Sequence, residues 1–364
     1  RWALGIYTLF MTVLILKSES VMQYLRSKQI RLRYLPKLFA DKPAWCNLSV
    51  LGACLPLLAL TIYQVFGSWL EISPQLEPAA ISALIKPLLA FCVPILMLMV
   101  AAVFYAIHFR STGWMLIGSH FLAATVITGT IITISEPLNS FYWDDLIRIS
   151  IYTGLAFAFY GIFWLFMEQQ INPQYRDLQS LSPVSWPFVR GHFASMLCLV
   201  VIPYLLPFLM NLNNPEHNWK PFFPDTSPIA LLTIIVAAIS VRLFSRRYSS
   251  SLKTNGLTFL SLAFIGLVTV LFWQHSQLTA WKINLLMEVG LILVGSFHTL
   301  RFVLESRQSP DELDHQANSN RYWLWSQLIG LMLFLFAFRG GWSDPLRPIP
   351  AVMISTVWTV IYVI

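Results

Sequence analysis

One carboxyl group stands inside a stretch otherwise fit to cross lipid: Glu288, near the middle of KINLLMEVGLILVGSFHTL (282–300). An ionisable group at bilayer depth is costly unless it is paired or wetted, which makes it the first polar residue to weigh for function. Helical geometry aligns Asn284, Glu288, Gly295 and Thr299 along one face. Such a stripe must turn toward other helices or a cavity, so the carboxyl is either a buried, hydrogen-bonded group or a participant in the passage of a substrate or proton. Lys86 opens another apolar stretch and is followed by Pro87 and Pro94. It either snorkels outward to the interface or contacts an anion, with Glu288 as an alternative partner. His298 lies near the inner end of the Glu288 stretch, while His108, His120 and His192 fall near loop edges, where hydrogen bonding at the interface is the expected role. Glu288, Asn284, Lys86 and His298 are therefore the candidate substrate-binding residues.

A second constellation is external. Glu136, Asp144 and Asp145 flank Phe141, Tyr142 and Trp143 in EPLNSFYWDD, with Glu71 and Glu77 in an earlier loop. Carboxylates beside rings that can stack a sugar are the equipment of a membrane-embedded transferase acting on a lipid-linked or polysaccharide substrate. These three acids would be its catalytic candidates, although acidic residues outside also follow from charge asymmetry alone. The chain has no GxxxxGK[ST] loop, no HExxH, no GxSxG elbow and no metal-spaced run of His or Cys. Nucleotide hydrolysis of the soluble type and zinc peptidase chemistry are thereby unfavoured within this chain, and no metal or cofactor is expected. Cys46, Cys54, Cys92 and Cys198 fall in or beside apolar runs and read as small buried apolar residues.

The elements that must hold these residues follow from composition. Of 364 residues, 57% are hydrophobic and only 11% charged, with a mean hydropathy of +0.64. Soluble domains carry about a quarter charged residues, so the solvent for most of this chain is lipid. Eleven apolar stretches are candidates to cross it: Trp2–Leu16, Cys46–Phe66, Leu84–Ile107, Trp114–Ser135, Ile147–Met167, Phe193–Leu212, Pro228–Phe244, Gly256–Trp273, Thr279–Leu300, Tyr322–Phe338 and Pro350–Ile364. The expected fold is an all-α polytopic transmembrane bundle of about eleven spans, ten to twelve, in a single domain over residues 1–364. Long unbroken apolar runs exclude a β-barrel. In VVIPYLLPFLMN, Pro203 and Pro207 each remove a backbone donor, as in kinked helices that line transporter sites and in purely structural kinks.

Of the 24 Lys and Arg, 17 fall in alternate loops or, as Arg242 does, just before one, if residue 1 lies outside. Segments 17–45, 108–113, 168–192, 245–255 and 301–321 are then cytoplasmic by the positive-inside rule. This accounts for the net charge of +7 without nucleic acid. The expected setting is a multi-pass protein of a bacterial cytoplasmic (inner) membrane. Segment 17–45 is too polar to span, yet Val21, Leu25, Leu32, Leu35 and Phe39 recur at near-helical spacing among basic side chains. A basic amphipathic helix on anionic lipids of the cytoplasmic leaflet explains it. Residues 28–45 align without gaps to 169–186, matching Gln29 with Gln170, Ile30 with Ile171, Tyr34 with Tyr175 and Trp45 with Trp186, a weak sign of a four-span repeat over 1–165 and 166–300. FRGGWSDPLRPIP (338–350) reads as an external glycine-rich turn.

The functional expectation is a transport or permease component moving or flipping an amphipathic or lipid-like substrate, with the bilayer and cytoplasmic or membrane subunits as partners and no nucleic acid. Two other readings stand beside it: the transferase, and a sensory or scaffold domain of a larger protein or complex.

Overall fold

Uninterrupted runs of Leu, Ile, Val, Phe and Ala leave a backbone in lipid only one way to satisfy its own N–H and C=O groups within the segment, the helix. The computed structural model describes residues 1–18, 20, 23, 42–63, 81–134, 143–171, 185–212, 226–248, 250–275, 280–306, 313–340 and 348–363. Among these residues are eleven helices: α1 Trp2–Leu16, α2 Lys42–Thr61, α3 Ile81–Phe109, α4 Thr112–Ile134, α5 Trp143–Ile171, α6 Ser185–Leu212, α7 Ser227–Tyr248, α8 Ser250–His275, α9 Ala280–Ser306, α10 Leu313–Gly340 and α11 Pro348–Val363. Each expected span has one helix, and no strand occurs among the described residues. Most of segment 17–45, including the proposed interfacial helix, lies outside them.

Among the described residues, seven helices contain windows long and apolar enough to cross a membrane, and only 39% to 50% of each such window is buried. The remaining faces carry large apolar side chains such as Phe166 and Leu293, and α1, α2 and α11 add Phe10, Leu55 and Met353, each of the five more than 60% exposed. That much uncovered hydrocarbon is untenable in water and ordinary in lipid. The chain is a multi-pass helical membrane protein.

Several helices outrun the apolar stretches that predict them. α5 continues to Ile171, α6 begins at Ser185, α9 runs to Ser306 and α10 begins at Leu313. Segments expected as loops therefore contribute whole turns to the packed structure. α6 is one helix across both Pro203 and Pro207.

The chain divides into two compact units within α6, at Ser195 and Met196. In the first unit α1 packs on α2 and α3, and α3, α4 and α5 follow as neighbours. Its core gathers Ile15, Val50, Leu57, Ile95, Leu98, Tyr105 and Phe121. The close approach of α1 to α3 depends on Gly5, where a Cβ would meet the Met97 sulfur at 2.8 Å. Polar groups here are satisfied locally or across helices: Thr12 Oγ1 lies 2.8 Å from the Tyr105 hydroxyl, and Ser49 Oγ 3.3 Å from it. In the second unit α9 packs on both α8 and α10, and α11 lies against α10 and α9. Leu291, Ile329, Leu333 and Trp358 form its core.

The turn from α3 to α4 is short and strained. Arg110 adopts φ 51°, and Ser111 N–H donates to Ala106 C=O at 3.0 Å. This is the Schellman closure of a helix end, whose left-handed position favours glycine because a Cβ crowds the following carbonyl. Arg110→Gly should stabilise the protein by about 1 kcal/mol, read as a rise in thermal midpoint in detergent. A lower midpoint would mean that the arginine side chain holds the turn more strongly than its backbone resists it.

Candidate functional site

Three helices of the second unit converge on a cavity of about 390 Å³, within the size range of small-molecule pockets. α8 contributes Thr254, Leu257, Thr258 and Ser261, whose i, i+3, i+4, i+7 spacing places them on one helical face. α9 contributes Leu293, Val294, Phe297, His298 and Arg301, and α10 contributes Tyr322. Thr254 lies just before the apolar stretch Gly256–Trp273 of α8, and Arg301 just after the stretch Thr279–Leu300 of α9, so the cavity opens at one membrane boundary.

His298 organises the polar end. Its side chain is 3% exposed, and Nε2 lies 2.9 Å from Thr258 Oγ1. The Thr258 hydroxyl already donates to Thr254 C=O at 2.7 Å, so its oxygen is left to accept from Nε2–H. That assigns the Nε2–H tautomer and leaves Nδ1, which has no partner among the described residues, as a bare acceptor. Aromatic rings set the imidazole plane: Trp325 stacks on it at 6.5 Å and 24°, and Tyr322 lies 5.7 Å away. Trp325 is itself anchored by Nε1–H donating to Asn255 Oδ1 at 2.8 Å. The Arg301 guanidinium sits 5.6 Å over the Phe297 ring.

Compared with known proteins, the chain matches no family model, no curated sequence and no solved structure. The reading of the site therefore rests on its geometry.

Of the residues singled out by sequence, His298 is in the cavity and Glu288 is not. Glu288 is buried on the same helix, ten residues earlier, which is about 15 Å along the axis. Its face is the one anticipated: Gly295 and Thr299 are buried with it, and Thr299 Oγ1 donates back to Gly295 C=O at 3.0 Å. That face packs on other helices, with Gly295 against Trp358 of α11. The side chains of Lys86 and Asn284 lie outside the described residues, as does Glu136. Asp144 and Asp145 occupy the first turn of α5, within electrostatic reach of each other, and Asp144 within that of Arg148. Carboxylates in that position complement the helix dipole, which gives them a structural role independent of any substrate. The described residues contain no group of three or more His, Cys, Asp or Glu placed to hold a metal.

The first unit holds a cluster that the sequence reading missed. His192, expected at a loop edge, is 1% exposed and neither ring nitrogen has a hydrogen-bond partner. It stacks on Phe157 at 5.2 Å and 23°, with Trp164 at 5.3 Å and Phe193 edge-on at 5.4 Å. Trp164 Nε1–H donates to Glu168 Oε2 at 2.9 Å, and Glu168 is 1% exposed. The available signal was the i, i+4 spacing of Tyr160, Trp164 and Glu168, which continues the helical face past the point where hydropathy falls.

Proposed function

We propose that the chain is a transport or permease component of a bacterial cytoplasmic (inner) membrane, with residue 1 outside, that moves or flips an amphipathic, lipid-like substrate. The observation that carries this reading is the cavity of α8, α9 and α10, whose α9 wall runs from Arg301 and His298 at the membrane boundary to Phe297, Val294 and Leu293 below it. A substrate with a polar head and a hydrocarbon body matches both halves. Entry is lateral, since Leu293 and Phe297 at its edge are 67% and 52% exposed on the apolar surface. The basic segment 17–45 would rest on anionic lipids of the cytoplasmic leaflet, and partner subunits would supply energy.

Membrane vesicles from cells expressing the chain, loaded with fluorescent amphipaths of several headgroups, provide the test. Expression should accelerate transfer between leaflets for at least one of them. Val294→Trp, which fills the cavity, should slow that transfer by about tenfold, the effect of about 1.4 kcal/mol on the substrate-bound state. Equal transfer with and without the chain would remove the permease reading.

A further inference from the structure

We infer that the cavity takes an anionic phospholipid, its phosphate at Arg301 and its first acyl carbons along Phe297 and Leu293. The inference rests on the permease reading above and narrows its substrate class. Arg301 is the one formal charge among the described lining residues, and no carboxylate accompanies it among them. Its side chain is exposed and makes no ion pair among the described residues. A guanidinium fork offers paired donors to a phosphate oxyanion, and the Phe297 ring beneath holds its plane.

Depth supplies the second argument. The apolar stretch of α9, Thr279–Leu300, ends one residue before Arg301. Leu293 lies eight residues deeper along the helix, about 12 Å. On α9 Arg301 and His298 lie within about one turn of that edge, with Phe297, Val294 and Leu293 below them; on α8 Thr254, Leu257 and Thr258 line the shallow level and Ser261 lies about 10 Å from Thr254. Along the α9 wall polarity therefore falls with depth over the distance in which a phospholipid changes from phosphate to acyl chain. The unpartnered Nδ1 of His298 sits at the polar level, a buried hydrogen-bonding atom with no protein group to use it. The lip is open toward lipid, so the ligand reaches the cavity from the bilayer.

The test uses the purified full chain in nanodiscs with phosphatidylglycerol carrying a photoreactive acyl chain, against phosphatidylcholine with the same chain. The phosphatidylglycerol probe should label the peptide containing Leu293 and Phe297 about tenfold more than its zwitterionic counterpart. Arg301→Gln should lower that labelling by about tenfold, and Arg301→Lys should restore part of it. Glu305→Gln, which removes the nearest carboxylate in sequence on α9, should not lower it. Equal labelling by both lipids, or labelling unaffected by Arg301→Gln, overturns the inference. Displacement by millimolar inorganic phosphate would assign the site to the free anion and overturn it as well. Selective labelling by a chain that fails the leaflet-transfer assay keeps the lipid site and removes the permease; transfer without headgroup preference does the reverse.

Discussion

Trp164→Ala should be the most destabilising single substitution in the first unit, at about 3–5 kcal/mol. Trp164 is fully buried and is the largest such side chain among the described residues. Its removal opens a cavity between α5 and α6 that the rings of His192 and Tyr160, 5.3 and 6.4 Å from it, are too constrained to fill. In lipid the loss is chiefly one of packing and dispersion, because hydrocarbon outside the protein is as apolar as the interior it replaces. The substitution also strips Glu168 of the indole donor at 2.9 Å. Trp164→Phe separates the two contributions, since it keeps a ring and deletes the N–H, and should cost about 1–3 kcal/mol. Glu168→Gln, which retains an acceptor oxygen, should be milder than either. Thermal midpoints in mild detergent, followed by near-ultraviolet circular dichroism, order the three variants. Should Trp164→Ala melt with the parent, the cluster would contribute no stability, and its burial would need another explanation.

Gly295→Ala should destabilise the second unit clearly, although it adds one methyl group. A Cβ at Gly295 would fall inside the van der Waals envelope of the Trp358 ring. Trp358 is 4% exposed and packs into the core of Leu291, Ile329 and Leu333. Gly330 flanks the same ring from α10, where a Cβ would lie 3.8 Å from Trp358 Cε3. The indole thus occupies a slot between two glycines, the small-residue arrangement by which helices in lipid approach closely enough to gain dispersion contacts. With an intact ring the added methyl must displace α11, at a cost of about 1–3 kcal/mol. In a Trp358→Ala background the clash is gone, and Gly295→Ala should then be nearly neutral. A double-mutant cycle on unfolding in detergent measures this coupling. Additive effects would show that the two positions do not share the slot.

The sequence by itself determined the solvent, the class of fold and the approximate place of every helix, because those follow from apolar run length and from the need to satisfy backbone groups in lipid. It also picked out His298 and the buried Glu288, Gly295 and Thr299 face, since a polar or small residue in an apolar run is conspicuous against its neighbours. What only the tertiary structure decided is which faces meet. Lipid and protein interior are equally apolar, so the periodicity that marks the inner face of a soluble helix is nearly absent here. Arg301 read as one more basic residue near a loop until α8 and α10 brought Thr258 and Tyr322 to its side of α9. Glu168 and His192 were assigned to a cytoplasmic segment because hydropathy falls where α5 and α6 emerge. Their aromatic partners, up to 35 residues apart in sequence as Phe157 and His192 are, draw both into the interior through contacts that no local pattern encodes.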